Sequence, residues 1–567
     1  MRADPFDLWS AIYPQVDYKI IKNVVRVRMR TLKPPVHYKP LSHKDALVIS
    51  YADSFYSEKE APLHSLYRFL DFFHGYLSGV HILPFFPYSS DDGFSIIDYY
   101  RVRKTYGTWQ DIRKIGKDFR IMTDLVMNHC SSEHKWFLKF LANKREYSDF
   151  FISVDPSVDL SQVFRPRAHP LLTPFQSKRG IVYVWTTFSE DQIDFNMANP
   201  KVLVRMVDIL LWYIAQGAQF IRLDAIAFLW KEQGTSCIHH ENTHRIVQFL
   251  RALLEQYAPW VRLITETNVA QTENLSYFGK GQEAHMVYQF PLPPLLLDAY
   301  IRQNARVLTS WAQALPNVPE GSLFFNFAAS HDGIGLLPSY DFLSEEERKH
   351  LIETVKARGG RISYKDTPNG KIPYEMNINY FSAITDPRWP QQKRVDCFLS
   401  SQAILLALDG IPGIYYHSLI GSENWQEGVH KTGYNRSINR QKLSFEELET
   451  ELTHTGSLRS LVVQGWKRLL AARNNAFTPG SGQQIFALHA KVFALLRGNP
   501  EDSPVLCLHN VSDVRVELSL ASAVPPQYLI TRNLLGSPVR CTVQHEIHME
   551  PYEVMWLELR SNLLAQV

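Results

Sequence analysis

Residues 220–229 read FIRLDAIAFL, an apolar run broken by Arg222 and Asp224 two positions apart. Side chains two apart on a strand point the same way. A strand buried on both faces has no use for charge, so this pair reads either as the edge of a site where a buried strand ends or as a structural ion pair at the rim of the fold. A guanidinium beside a carboxylate favours its ionised form. Asp224 is therefore expected to be ionised at neutral pH and able to act as a nucleophile, with Arg222 holding its pKa low.

Similar short apolar segments recur at 46–51, 80–84, 120–126, 219–224, 261–266, 323–327 and 411–416, most ending in polar residues. Amphipathic stretches such as 108–117, 201–216 and 242–257 lie between them. Strands alternating with helices over this length predict an α/β fold, a TIM (β/α)8 barrel whose functional residues sit where strands end. The expected barrel occupies 46–130 and 200–482, after an N-terminal extension at 1–45. Residues 131–199 are too long for a loop and read as an inserted B subdomain, and 336–392 as a second long insertion. From 483 to 567 short alternating runs such as VLCLHNVS predict a C-terminal antiparallel β-domain.

With 567 residues, 45% of them hydrophobic and 21% charged, the chain reads as a large globular protein. A net charge of +3 gives no electrostatic case for nucleic acid or an anionic membrane as partner. Five scattered cysteines (Cys130, Cys237, Cys397, Cys507 and Cys541) match neither a disulfide framework nor a zinc pattern. The opening MRADPFDLWS lacks the form of a signal peptide, and no apolar stretch is long enough to span a bilayer, so a cytoplasmic location is expected. No phosphate-binding GxxxxGK[ST] loop occurs, and neither a cofactor nor a metal is expected. Nothing in the chain specifies an oligomer.

Three further strand ends carry chemistry. LITETN places Glu266 one strand along from Asp224, DLVMNH places Asn128 and His129 at the third strand, and AASHDG places His331 and Asp332 after the seventh. Retaining glycoside chemistry needs one carboxylate to attack the anomeric carbon and another, roughly 5–5.5 Å away, to protonate the leaving oxygen. Neighbouring barrel strands lie about 4.8 Å apart, so acids at their ends can meet that need.

DLVMNH, FIRLDAIAF, ITETN and SHDG, in this order, resemble the four signature regions of the α-amylase superfamily. The resemblance implies a barrel with an inserted subdomain and a C-terminal β-domain, Asp224 as nucleophile, Glu266 as general acid/base and Asp332 as transition-state stabiliser. It implies that Arg222, His129 and His331 support the glucose subsite. GVHILPFFPYSSDDGFSIIDY at 79–99, FRPR at 164–167, GTSC at 234–237 and SINRQKL at 437–443 resemble the sucrose phosphorylase branch. By that likeness Asp91 and Arg440 clamp the 4- and 6-side hydroxyls of the glucosyl unit. Phe188 and Gln192 line the same pocket, and Arg167 meets phosphate or the acceptor.

Residues 224–244 are more similar to glucosylglycerate phosphorylases than to sucrose phosphorylases proper, although Ala270 and Gln271 stand where Pro-His is expected. The implied activity is transfer of an α-glucosyl unit from a small glucoside, glucosylglycerate first, to inorganic phosphate by double displacement. Sucrose, sucrose 6′-phosphate and glucosylglycerol are alternative donors. A hydrolase of the same fold and a non-catalytic amylase-like binding protein are the competing classes. Arg436, Lys371 and Lys231 are candidate cations for an acceptor carboxylate. Asn128 matches a calcium-ligand position of many amylases, while the phosphorylase branch generally manages without calcium.

Overall fold

The computed structural model describes residues 3–561 apart from 36–38, 43, 168, 368–369, 478–481, 499–502, 525–527 and 537–545. Eight parallel strands close into a barrel: β1 (Leu47–Ser50), β2 (Gly79–Ile82), β3 (Arg120–Leu125), β4 (Ala218–Leu223), β5 (Arg262–Thr265), β6 (Met286–Tyr288), β7 (Leu323–Phe327) and β8 (Ile411–Tyr415). Each pairs with its neighbours in the chain, and β8 closes on β1. Their sequences are nearly continuous apolar runs because helices cover one face and the barrel core the other. All six residues of β4 are buried, Arg222 among them. Strand β6 has only three residues, too few to show a pattern, and is fixed by its pairing with β5 and β7.

The 131–199 segment contains a helix (Lys135–Leu141), an antiparallel hairpin (Leu172–Ser177 with Gly180–Trp185) and a strand, Gln192–Asp194, that pairs with His129–Ser131. That pairing ties the segment directly to the end of β3. Within 336–392 a helix, Glu345–Ala357, precedes two antiparallel strands, Arg361–Thr367 and Gly370–Asn377. The second strand also pairs with Ile334–Gly335 just past the end of β7, which carries it over the barrel mouth.

The N-terminal residues form two helices, Pro5–Ile12 and Lys19–Met29. Asp4 caps the first by accepting the Phe6 N–H, with Pro5 in the first turn. Trp9 is fully buried against Phe249, and Arg28 forks onto Asp208 at 2.6 and 2.7 Å. Both helices thus dock on the outer helical layer.

Five antiparallel strands beyond residue 482 form the C-terminal sheet. Period-two alternation divides its faces. Val492 and Ala494 point into a separate small core, whereas Phe493 and Leu495 join the core of the barrel. The four described cysteines are buried free thiols, and Cys541 lies outside the described residues. No described helix is long and apolar enough to cross a membrane.

Candidate active site

Strand ends β3, β4, β5 and β7 deliver their polar residues to one cavity at the mouth of the barrel. Its wall includes Asp91, His129, Arg167, Phe188, Gln192, Arg222, Asp224, Glu266, His331 and Asp332. Arg440 stands behind the wall. Its Nε donates to the His331 carbonyl at 2.8 Å, and its Nη1 lies 2.9 Å from Asp92 and 3.6 Å from Asp91. Arg440 Nη2 and Asp91 Oδ1 are buried without a hydrogen-bond partner, so both retain capacity for a ligand's hydroxyls.

Arg222 Nη1 donates to Asp224 Oδ1 at 2.8 Å, as its spacing on β4 requires. It also donates to Asp124 Oδ1 at 2.5 Å, and Nη2 lies 3.7 Å from Glu266. Asp124 is paired in register with Arg222 on the adjacent strand, and its other oxygen meets His81 Nε2 at 2.7 Å. Sequence reasoning overlooked Asp124 and His81, although DLVMNH begins with Asp124. The signal available was a carboxylate at a buried strand position.

The expectation that Arg222 keeps Asp224 ionised needs correction. Burial dominates and pushes the Asp224 carboxyl up to about 8, Arg222 opposes it, and the negative Glu266 adds to the rise. Burial also raises Glu266, again against Arg222. Two such acids titrate as a pair rather than independently. Arg222 donates to Asp224 at 2.8 Å and reaches Glu266 only at 3.7 Å, so it opposes the rise at both acids and touches Asp224 directly.

Ala225 follows Asp224 in the left-handed region at φ 47°, a conformation unfavourable for a residue with a side chain. The turn aims its N–H at Glu266 Oε2, 2.9 Å away. A single bent peptide thus joins the two acids.

Asp332 differs from both. Burial alone would raise its pKa, but Arg436, His331, Arg440 and Arg222 together hold it far below the usual carboxylate range. Arg436 Nη1 donates to Asp332, while Nε and Nη2 fork onto Glu375 at 3.0 and 2.6 Å. Glu375 and Tyr374 come from the second insertion, so that segment completes the site. Burial lowers His129 to about 4 and His331 to about 3, leaving both imidazoles neutral at physiological pH. Phe94 stacks on His331 with ring centroids 4.9 Å apart, and Phe164, Phe188 and Phe228 add aromatic wall.

The candidate cations separate clearly. Lys231 is buried with Nζ 2.6 Å from Asp194 Oδ2 and 2.5 Å from Asn128 Oδ1, so its charge is spent inside the fold. No cluster of three metal-binding side chains occurs among the described residues. Lys371 is exposed on the hairpin, away from the cavity wall. Arg436 is committed to Asp332 and Glu375. Arg167 alone among these lines the cavity without an ion-pair partner among the described residues, packed 5.8 Å from the Tyr374 ring. Gln271 turns away to accept the Trp311 N–H at 2.9 Å, so Thr267, Asn268 and Val269 form that side of the cavity instead.

Residues 70–332 match the alpha amylase catalytic domain. A glucosylglycerate phosphorylase of Spirochaeta thermophila is 53% identical over 91% of this chain and 90% of its own. Another from Escherichia coli is 42% identical over 92% and 93%. The crystal structure of sucrose 6F-phosphate phosphorylase from Thermoanaerobacter thermosaccharolyticum is similar at a TM-score of 0.73 and 25% identity, over 84% of this chain and 96% of that one. Sequence likeness of this extent and the shared barrel lead to one conclusion: the chain belongs to the α-amylase family, in its sucrose phosphorylase branch.

Proposed function

We propose that this chain is a retaining glucosylglycerate phosphorylase, with Asp224 as nucleophile, Glu266 as general acid/base and Asp332 as the stabiliser of the transition state. The observation that carries the reading is three carboxyl groups around one cavity in unequal states. The guanidiniums of Arg436, Arg440 and Arg222 favour the ionised form of Asp332, whereas burial raises Asp224 and Glu266 and Arg222 opposes that rise in both. Asp224 attacks the anomeric carbon as Glu266 protonates the departing glycerate oxygen, and the ring charge that develops faces Asp332. Phosphate then attacks the β-glucosyl-Asp224 ester, Glu266 takes the proton, and α-glucose 1-phosphate leaves with retained configuration.

Asp91, Arg440, Gln192, His129 and His331 are the groups proposed to hold the glucosyl hydroxyls, with Phe188 in the wall. Both acceptors are anions, one a carboxylate and one a phosphate, and both suit a guanidinium fork. Arg167, without an ion-pair partner among the described residues, is the guanidinium proposed to meet each in turn. The relatives of 42–53% identity that carry the name glucosylglycerate phosphorylase support the choice of glycerate.

The test follows glucosylglycerate and labelled phosphate and assays the reverse reaction with glycerate, glycerol, fructose and fructose 6-phosphate as acceptors. Labelled α-glucose 1-phosphate, with glycerate as the preferred acceptor, is the expected result. Free glucose as sole product would make the chain a hydrolase, and preference for another acceptor would reassign the donor.

A further inference from the structure

Asp191 is not part of the cavity wall, yet it gathers an unusual set of donors. Its Oδ2 accepts from Ser89 Oγ at 2.5 Å, from Ser90 Oγ, and from Ser95 Oγ at 2.9 Å. Its Oδ1 accepts from Ser132 Oγ at 2.6 Å and Ser132 N–H at 3.2 Å, and its carbonyl lies 2.6 Å from Ser95 Oγ. Four serines from two separate segments thus converge on one carboxylate. A solvated surface acid has no such shell.

What those serines flank explains the arrangement. Asp91, Asp92 and Gly93 are three consecutive residues in the left-handed region, at φ 52°, 48° and 118°. Two of them carry side chains that disfavour it. Gly93 cannot be replaced, because an added Cβ would sit 2.4 Å from the Pro84 carbonyl. The turn projects Asp91 into the cavity with Oδ1 buried and without a hydrogen-bond partner. Ser89 and Ser90 precede the turn and Ser95 follows it, so Asp191 holds it shut from both sides. Ser132 extends the clamp to the chain leaving β3. Gln192, next in sequence, faces the cavity, with its amide nitrogen 3.4 Å from Asp91 Oδ2 and 3.2 Å from His129 Nε2.

We propose that Asp191 is a positioning residue: by gripping both flanks of the Asp91–Gly93 turn, it fixes Asp91 and Gln192 in the geometry that receives the glucosyl hydroxyls. This rests on the reading that Asp91 holds the 4- and 6-side hydroxyls. Burial favours the neutral acid at Asp191, but the hydrogen bonds from Ser132, Ser89, Ser90 and Ser95 outweigh it, so the clamp works as a carboxylate.

The test compares the full-length enzyme with Asp191→Asn, Asp91→Asn and the double variant. Each is assayed for kcat/KM with α-glucose 1-phosphate and with its 4-deoxy and 6-deoxy analogues, using glycerate as acceptor. Asp191→Asn is expected to lose about 10²-fold with the natural donor, the cost of a misplaced contact. It should lose much less with a deoxy donor that lacks the gripped hydroxyl, and the double variant should be no worse than Asp91→Asn. An equal loss of Asp191→Asn on all three donors, with Asp91→Asn alone sensitive to the deoxy change, overturns the clamp and leaves the Asp91 reading intact. Equal losses of Asp91→Asn on all donors overturn both. Ser90→Ala with Ser95→Ala removes two donors and keeps the carboxylate. It should show the same donor dependence more weakly, and it carries the test if Asp191→Asn does not fold.

Discussion

Replacing Lys231 with methionine tests how the 131–199 segment is held to the barrel. Its side chain is 3% exposed, and its ammonium contacts Asp194, whose side chain is 0% exposed, at 2.6 Å. Removing one partner of a buried ion pair costs roughly 3–5 kcal/mol, chiefly by stranding the other charge. Asp194 would keep three donors: Thr187 N–H at 2.8 Å, Thr187 Oγ1 at 2.6 Å and Asn128 Nδ2 at 3.1 Å. Methionine replaces most of the aliphatic stem. The loss should therefore fall at the low end, about 3 kcal/mol, and Lys231→Met with Asp194→Asn should recover all but about 1 kcal/mol. Urea unfolding of wild type, both single variants and the double variant at one pH measures this. Because Asp194 pairs in register with His129 and lies two residues from Gln192, the single variant should also raise KM for the donor. A loss below about 1 kcal/mol, or a double variant no more stable than Lys231→Met, would refute the buried-pair argument.

Asp224→Ala should lose about 10⁴-fold or more in turnover and, with azide, yield β-glucosyl azide; near-normal activity would remove the nucleophile role. Glu266→Gln should lose about 10²–10⁴-fold with glucosylglycerate but far less in the first step with α-glucosyl fluoride, whose leaving group needs no proton. Azide should then give the α-azide, and the β-azide would exchange the two assignments. Arg167→Gln should weaken phosphate and glycerate alike by about 10–100-fold, read as KM for each, without changing hydrolysis of α-glucosyl fluoride. A loss confined to one anion would deny the shared role. His134 accepts the Trp136 N–H on Nδ1, and burial lowers it to about 3 against an ordinary 6.5. The unfolded chain binds the extra proton in that window, so this stability is present above about pH 6.5 and disappears as pH falls toward 3. His134→Gln should flatten the pH dependence of the urea midpoint between pH 7 and about 4.5, and an unchanged slope would count against a neutral buried imidazole.

The barrel is legible because parallel strands covered on both faces must be written as apolar runs, and the polar residues just past their ends advertise the site. Strand β6 escapes because three residues cannot display a period. The lengths of the two insertions are legible, but their internal folds are not, since short strands such as Gln192–Asp194 exist only through partners distant in sequence. The acids at 224, 266 and 332 stand out as charges at strand ends. Asp124 has the same appearance but is recognisable only once the register of β3 and β4 sets it beside Arg222. The sign of the Asp224 shift was misjudged for a physical reason: a neighbouring charge shows in the sequence, whereas the dehydration that outweighs it is a property of the closed structure. Likewise Lys231, Arg436 and Arg167 are indistinguishable as letters. Only packing reveals which two are neutralised and which has no ion-pair partner among the described residues. The aromatic wall of Phe94, Phe164 and Phe228 cannot be told from core aromatics before folding.

The bent peptide at Ala225 has a mechanical consequence. A carboxylate accepts an N–H more strongly than a carboxylic acid does, so the pull of Glu266 on Ala225 rises whenever Glu266 is deprotonated. Under the proposed roles that is when the sugar is bonded to Asp224, one residue away. The covalent intermediate would then be cinched from behind by the very group that waits to release it, and the tether slackens as the proton returns.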